Sequence, residues 1–112
     1  MSTANRWQTL CTRQDLVAHS GVVAWHGGAQ VALFYLPGQA QELHAIDNHD
    51  PQSGANVIGR GLVGHLMGEL VVAAPLYKQH YRLRDGQCLE RPGEILRTWP
   101  VRFNGDWVEI QS

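Results

Sequence analysis

At 112 residues, 44% of them hydrophobic and 17% charged, the chain has the length and apolar content of a single globular domain over residues 1–112, and it is too short for two. Nine Lys and Arg stand scattered against ten Asp and Glu, for a formal charge of −1 and a pI near 6.6, which leaves no basic footprint for nucleic acid. The longest apolar run, Leu70 to Tyr77, is far short of a membrane span, and no early segment joins a basic start to an apolar core, so a soluble, cytoplasmic protein is expected.

Met1 to Asn5 is polar and expected to fray. Trp7 to Cys11 alternates large apolar and polar side chains, as a half-buried strand does. Thr12 to Leu16 can begin a helical turn, but Ser20-Gly21 ends it, so at most one short helical turn is expected. Val22 to Trp25 and Val31 to Tyr35 are β-rich runs separated by His26-Gly27-Gly28-Ala29-Gln30, whose glycines allow the positive φ of a hairpin. Leu36-Pro37-Gly38-Gln39 turns the chain into Glu42 to Ile46, completing a meander in which His26 is expected on the exposed hairpin and His44 on the outward face of its strand.

Asp47 to Gly68 is rich in Gly, Asn and Asp and reads as mostly loop with minimal strands. Gly59-Arg60-Gly61-Leu62-Val63-Gly64 matches G-x-G-x-x-G, but that pattern binds a dinucleotide only when a long helix follows it. Here Gly68 and the β-rich run Glu69 to Ala73 follow directly, so nucleotide binding is not expected. Asp85-Gly86 and Asn104-Gly105 are hairpin signals, and Glu90-Arg91-Pro92-Gly93 is a further turn. Trp99, Val101 and Phe103 alternate along a strand that Pro100 must place at an edge or bulge, because it lacks an amide donor. The count of turn-bounded runs gives an all-β domain of about ten short strands. Cys11 and Cys88 are isolated and read as free, partly buried thiols.

The stretch Val72 to Gly86 resembles the second half of a Rieske iron–sulfur site, where C-P-x-H precedes an aromatic residue and a Gly. Ala74-Pro75-Leu76-Tyr77 occupies those four slots, with Tyr81 and Gly86 at the aromatic and Gly positions. Upstream, His49-Asp50-Pro51-Gln52-Ser53-Gly54 fits the C-x-H frame with Asp50 in the Cys slot and Gln52 in the His slot. A Rieske cluster takes two thiolates on one iron and two imidazoles on the other. Asp50, Gln52, Ala74 and Tyr77 cannot supply that set.

The ligand-free motif, together with Val31-Ala32-Leu33-Phe34, Ala45-Ile46-Asp47-Asn48, Arg60-Gly61-Leu62-Val63 and Val72-Ala73-Ala74-Pro75-Leu76-Tyr77-Lys78-Gln79, resembles the small subunit of assimilatory NAD(P)H-dependent nitrite reductase from Trp7 to the C-terminus. The resemblance implies stacked antiparallel sheets with a smaller subdomain carrying a two-loop tip. It also implies a chain with no cofactor, metal or catalytic residues of its own. The large subunit is then the partner, holding FAD, an iron–sulfur cluster and sirohaem and reducing nitrite to ammonium. In Rieske ferredoxins the two ligand loops form the tip where partners dock, which makes Pro51, Leu76, Tyr77 and Lys78 the candidate partner-binding residues. Tyr77 can instead fold inward to fill the space of the lost cluster, since a void there is destabilising.

Two other readings compete. A small electron carrier or oxygenase could use His44, His49, Asp50, His65 and His80 as substitute ligands, since two imidazoles and a carboxylate can hold a mononuclear iron. A free-standing adaptor for another partner is also open, because fold alone does not fix function.

Overall fold

The run Val31-Ala32-Leu33-Phe34 lacks the polar alternation of a half-buried strand, and in the computed structural model, which describes residues 6–111, all four side chains are fully buried. Successive side chains point to opposite faces of a strand. Burying all four therefore needs cover on both sides. β3 (Ala29–Tyr35) lies inside an antiparallel sheet ordered β2 (Ser20–His26), β3, β4 (Leu43–Asp47), β8 (Thr98–Trp99), with a second layer on each face.

On one face Val31 and Leu33 pack with Leu43, Ala45, Trp99, Val108 and Ile110 beneath a sheet ordered β1 (Trp7–Thr12), β10 (Trp107–Gln111), β9 (Val101–Asn104). On the other, Ala32 and Phe34 pack with Ile46, Ile58, Val72, Tyr81 and Leu83 beneath a small sheet ordered β5 (Leu62–Leu66), β6 (Glu69–Ala73), β7 (His80–Arg82). Full burial of a Leu or Phe side chain stabilises by about 1.5–3 kcal/mol. β3 thus joins a base sandwich to the subdomain that carries the two tip loops. The stacked antiparallel sheets expected from the Rieske resemblance are present, and the ten strands among the described residues match the count read from the sequence.

Gly86 shows why the turn after β7 needs glycine. Its φ is +79°, and an added Cβ would lie 1.9 Å from the Leu96 carbonyl oxygen, a clash with main chain that cannot yield. The Gly86 amide donates to Arg82 and its carbonyl accepts from Leu96, so the last loop is drawn onto the subdomain.

Several elements differ from the sequence reading. A second 3-10 turn, Ile58–Arg60, joins the expected one at Arg13–Asp15, and β5 is a full five-residue strand inside the segment read as mostly loop. β5 has weak intrinsic β character but pairs along its whole length with β6 across the Met67-Gly68 turn. Pro100 does more than mark an edge: it divides the strand, leaving Thr98–Trp99 on β4 and sending Val101–Asn104 to β10 in the opposite layer. The closing hairpin turns through Gly105-Asp106, one residue later than Asn104-Gly105. The polar start expected to fray, residues 1–5, lies outside the described residues.

His44 is buried, contrary to its expected outward position. It shares with Ile46 the face of β4 that looks toward the subdomain, where Leu83 and Arg84 close over it. Its Nε2 donates to the Gln41 carbonyl at 3.2 Å, and Nδ1 finds no partner among the described residues. Burial holds the imidazole below its ordinary pKa of 6.5, against the opposing effect of hydrogen bonding to the main chain. Above that ordinary value His44 is neutral in both states. As pH falls below it, the unfolded chain takes up a proton that the folded chain resists, so stability is lost. The carboxylates held low by partners, such as Glu69 beside Arg84, lose their contribution only as pH falls through and below the ordinary 4.5. Urea unfolding between about pH 7 and pH 5 is therefore expected to show a loss of stability that His44→Gln reduces. An identical pH slope in the variant would show that His44 is not its source.

Candidate functional site

The two tip loops are closed by their own main chains before any side chain joins them. In the first, the Asp50 amide donates to Ala55 and the Gly54 amide returns to Asp50, each at 2.8 Å. In the second, the Ala74 amide donates to Gln79 at 2.8 Å and the Lys78 amide to Ala74 at 3.0 Å, with Lys78 in the left-handed region at φ +64°. Pro75 fits this bend, since it has no amide donor to satisfy.

A carboxylate then ties the loops together. Asp50 is fully buried and accepts from the Gln52 amide at 2.9 Å, the Ser53 hydroxyl at 3.0 Å and the Gln79 side-chain amide at 2.8 Å. Gln79 comes from the second loop, so its bond to Asp50 bridges the two. The same Gln79 nitrogen lies 3.2 Å from the Tyr81 hydroxyl, which donates to the Glu94 carboxylate. Gln52 completes the ring by donating to Glu94 at 3.2 Å. Burial, reinforced by Glu94, pushes the Tyr81 phenol far above its usual value. It stays protonated as a donor.

This arrangement does not fit an iron–sulfur cluster. Asp50 is fully engaged by nitrogen and oxygen donors, Gln52 is turned to Glu94, and Ala74 presents a buried methyl group with no donor atom. Tyr77 is 63% exposed and does not fold into the space between the loops. That space is taken by Gln79 and by the fully buried Tyr81.

The substitute ligands are also separated. His44 is buried on β4 beside Leu83, His49 Nδ1 is 3.0 Å from Asn56 Oδ1, His65 is exposed on β5, and His80 Nδ1 is 2.6 Å from Glu90 Oε2. Among the described residues no three His, Cys, Asp or Glu side chains converge in a geometry that could hold a metal ion. Cys11 and Cys88 are free, one half-buried and one buried, and burial raises the pKa of both thiols.

The exposed end of the tip is apolar at its centre. Leu76 and Tyr77 project into solvent, and Tyr77 shares a shallow groove with Pro51, Gln52, Arg91 and Glu94. The sequence reading identifies the four slots and the loop residues around them, but gives Ser53 and Gln79 no role of their own and does not reach Glu94. Gln79 directly follows the Leu76-Tyr77-Lys78 segment, and its pairing with Asp50 has a weak signal in the vacant Cys slot. Glu94 is 42 residues from Gln52, and no local pattern points to it.

Residues 6–111 match the family model described as Rieske-like [2Fe-2S] domain. The NADH nitrite reductase small subunit of Salmonella typhimurium is 45% identical over 108 residues, covering 96% of this chain and 99% of that protein. The nitrite reductase NAD(P)H large subunit of Klebsiella oxytoca is 42% identical over 108 residues, covering 95% of this chain but only 11% of its own length. Among solved structures, the nitrite reductase NAD(P)H small subunit from Erwinia carotovora superimposes with a TM-score of 0.78 at 35% identity, covering 100% of this chain and 83% of that one. The ferredoxin of carbazole 1,9a-dioxygenase from Nocardioides aromaticivorans, at 17% identity and TM-score 0.76 over 94% of this chain and 96% of its own, shares the fold.

Asp50→Ala would leave three donors, two of them from the same loop, without their acceptor in a buried site. The expected loss is about 2–4 kcal/mol, read as a fall in melting temperature of about 10 °C for a domain of this size. Tyr77→Ala, at an exposed site, is expected to melt within about 1 °C of the parent. Equal melting temperatures for the two variants would contradict the assignment of Asp50 as the tie between the loops.

Proposed function

The chain belongs to the Rieske-like [2Fe-2S] domain family and, within it, to the small subunits of NAD(P)H-dependent nitrite reductase, and from that premise we propose that it is the non-redox small subunit of a cytoplasmic reductase that converts nitrite to ammonium in nitrate assimilation. In this reading the large subunit holds FAD, an iron–sulfur cluster and sirohaem and carries out every electron transfer. The small subunit contributes binding and is required for an active complex. The observation that carries the reading is the content of the tip: a hydrogen-bonded set of Asp50, Gln79, Tyr81 and Glu94 where the fold's redox centre would need thiolates and imidazoles.

The partner follows from two findings. The Salmonella relative is itself a small subunit and matches this chain over nearly its whole length. A domain 42% identical also occurs within a polypeptide described as the large subunit, which supports a domain that works against that subunit's surface. No helix among the described residues is long and apolar enough to cross a membrane.

Docking is assigned to Pro51, Leu76, Tyr77 and Lys78. A rigid loop gives a partner an anchor that loses little conformational freedom on binding. Here both loops are closed by main-chain hydrogen bonds, and two large apolar side chains remain outside. Truncating an aromatic anchor costs about 2 kcal/mol or more of binding.

The test is reconstitution from separately purified subunits. NADH-dependent nitrite reduction by the large subunit alone is expected to be slight and to be restored by adding this chain, with no cofactor supplied. Tyr77→Ala is expected to need roughly 30-fold more protein for half-maximal restoration, the equivalent of about 2 kcal/mol. Full activity of the large subunit on its own would overturn the required role.

A further inference from the structure

The described cations divide into two sets. Arg82 and Arg84 pair with Glu69, and Arg102 pairs with Glu109. Arg13 lies over Phe103 and Arg97 over Trp99. By contrast, Arg6, Arg60, Lys78 and Arg91 make no side-chain hydrogen bond, ion pair or ring contact among the described residues. Arg6 precedes β1 on the base sandwich, and the other three lie at the tip. Of the acids nearby, Asp50 is buried against Gln79, Glu94 accepts from Tyr81 and Gln52, and Glu90 pairs with His80.

Two of these cations share one cleft. Arg60 and Lys78 line a cavity of about 230 Å³ with Leu62, Ala74 and Pro75. Their backbones are fixed independently of any ligand. Arg60 ends the 3-10 turn anchored by buried Ile58, its amide bonded to Val57 at 2.9 Å. Lys78 is held in left-handed geometry by its 3.0 Å bond to Ala74, an arrangement that carries some backbone strain in a residue with a Cβ. Gly61, next to Arg60, packs so closely on β6 that an added Cβ would sit 2.5 Å from the Ala73 carbonyl oxygen. The wall between the two cations therefore cannot drift. Leu62 and Leu76, both exposed, belong to the two segments that meet at the cleft.

We propose that this cleft receives an aspartate or glutamate of the large subunit, presented beside apolar side chains that cover Leu62 and Leu76. The inference rests on the docking role given above and goes beyond it by naming the charge of the opposing surface and the two residues that read it. Charge complementarity argues for this occupant: a chain of net charge −1 exposes at its tip three cations without ion-pair partners around an apolar centre, while Asp50 is buried and Glu90 and Glu94 are engaged by His80, Tyr81 and Gln52. Such a surface favours an acidic partner and raises its rate of encounter. Arg suits a carboxylate because its planar fork can grip both oxygens, while Lys adds a point charge at the opposite wall.

Binding of the purified large subunit to the full chain would be measured by biolayer interferometry at about 50 and about 300 mM salt, across which exposed charge pairs lose much of their attraction. The wild type is expected to weaken with salt. Arg60→Glu and Lys78→Glu are each expected to weaken binding about tenfold at the lower salt, to reduce its salt dependence and to leave the melting temperature unchanged. Gln39→Glu, on a loop of the base sandwich, is expected to bind like wild type. Wild-type binding that neither salt nor either reversal changes by more than about twofold would overturn the acidic contact while leaving the docking role intact. Absence of any wild-type binding would overturn the docking role itself and the acidic contact with it. Self-association of the chain that the two reversals abolish would assign the cleft to a second copy and equally overturn the proposal.

Discussion

The tip depends on one buried carboxylate. Removing a charge from water is costly unless its oxygens are fully engaged, and Asp50 is engaged by a main-chain amide, a hydroxyl and a side-chain amide. The first two donors shape its own loop. The third comes from the other loop, so a single set of hydrogen bonds fixes both the curvature of each loop and their separation. In a Rieske domain covalent ligation to iron performs that task from all four slots. Here one slot performs it, and the remaining three are free to become a methyl group, a surface aromatic and a glutamine that reaches Glu94.

The base of the molecule makes this economy possible. β3 is buried on both faces, so the subdomain is seated on Ala32 and Phe34 as firmly as the outer sheet is seated on Val31 and Leu33. Gly86 lets the chain after β7 approach Leu96 at main-chain contact distance, and this approach brings Glu94 beside Tyr81. Rigidity at the tip is thus supplied from below. The exposed Leu76 and Tyr77 can then serve a partner without taking part in folding.

Legibility in the sequence followed the range of the interaction. Alternation in Trp7 to Cys11, the double glycine at Gly27-Gly28 and the Asp85-Gly86 turn signal are local, and each is readable, whereas the strict need for glycine at Gly86 comes from the distant Leu96 carbonyl. The burial of His44 was not, because it depends on Leu83 and Arg84 returning from the subdomain nearly forty positions later. β5 carries little signal in its own residues because its strand state comes from pairing with β6 and not from its composition. Pro100 reads from sequence as an edge or bulge in one strand, and only the three-dimensional layers reveal that its two sides belong to different sheets. At the site, the vacant ligand slots were plain from residue type, while the ring that replaced them joins positions 50, 52, 79, 81 and 94 and left no mark in any one segment.

A domain whose fold is shared with electron carriers, and whose tip is held by side-chain hydrogen bonds, suits the proposed division of labour, in which electrons stay in the large subunit and this chain supplies a shaped, positively charged surface. The decisive measurement is anaerobic incubation of the purified chain with ferrous iron and sulfide, followed by desalting, iron analysis and visible and electron paramagnetic resonance spectra. Colourless protein without stoichiometric iron and without a reduced-cluster signal is the result expected of a tip pinned by Asp50 and filled by Tyr81 and Gln79. A stable [2Fe-2S] spectrum at one cluster per chain would contradict it.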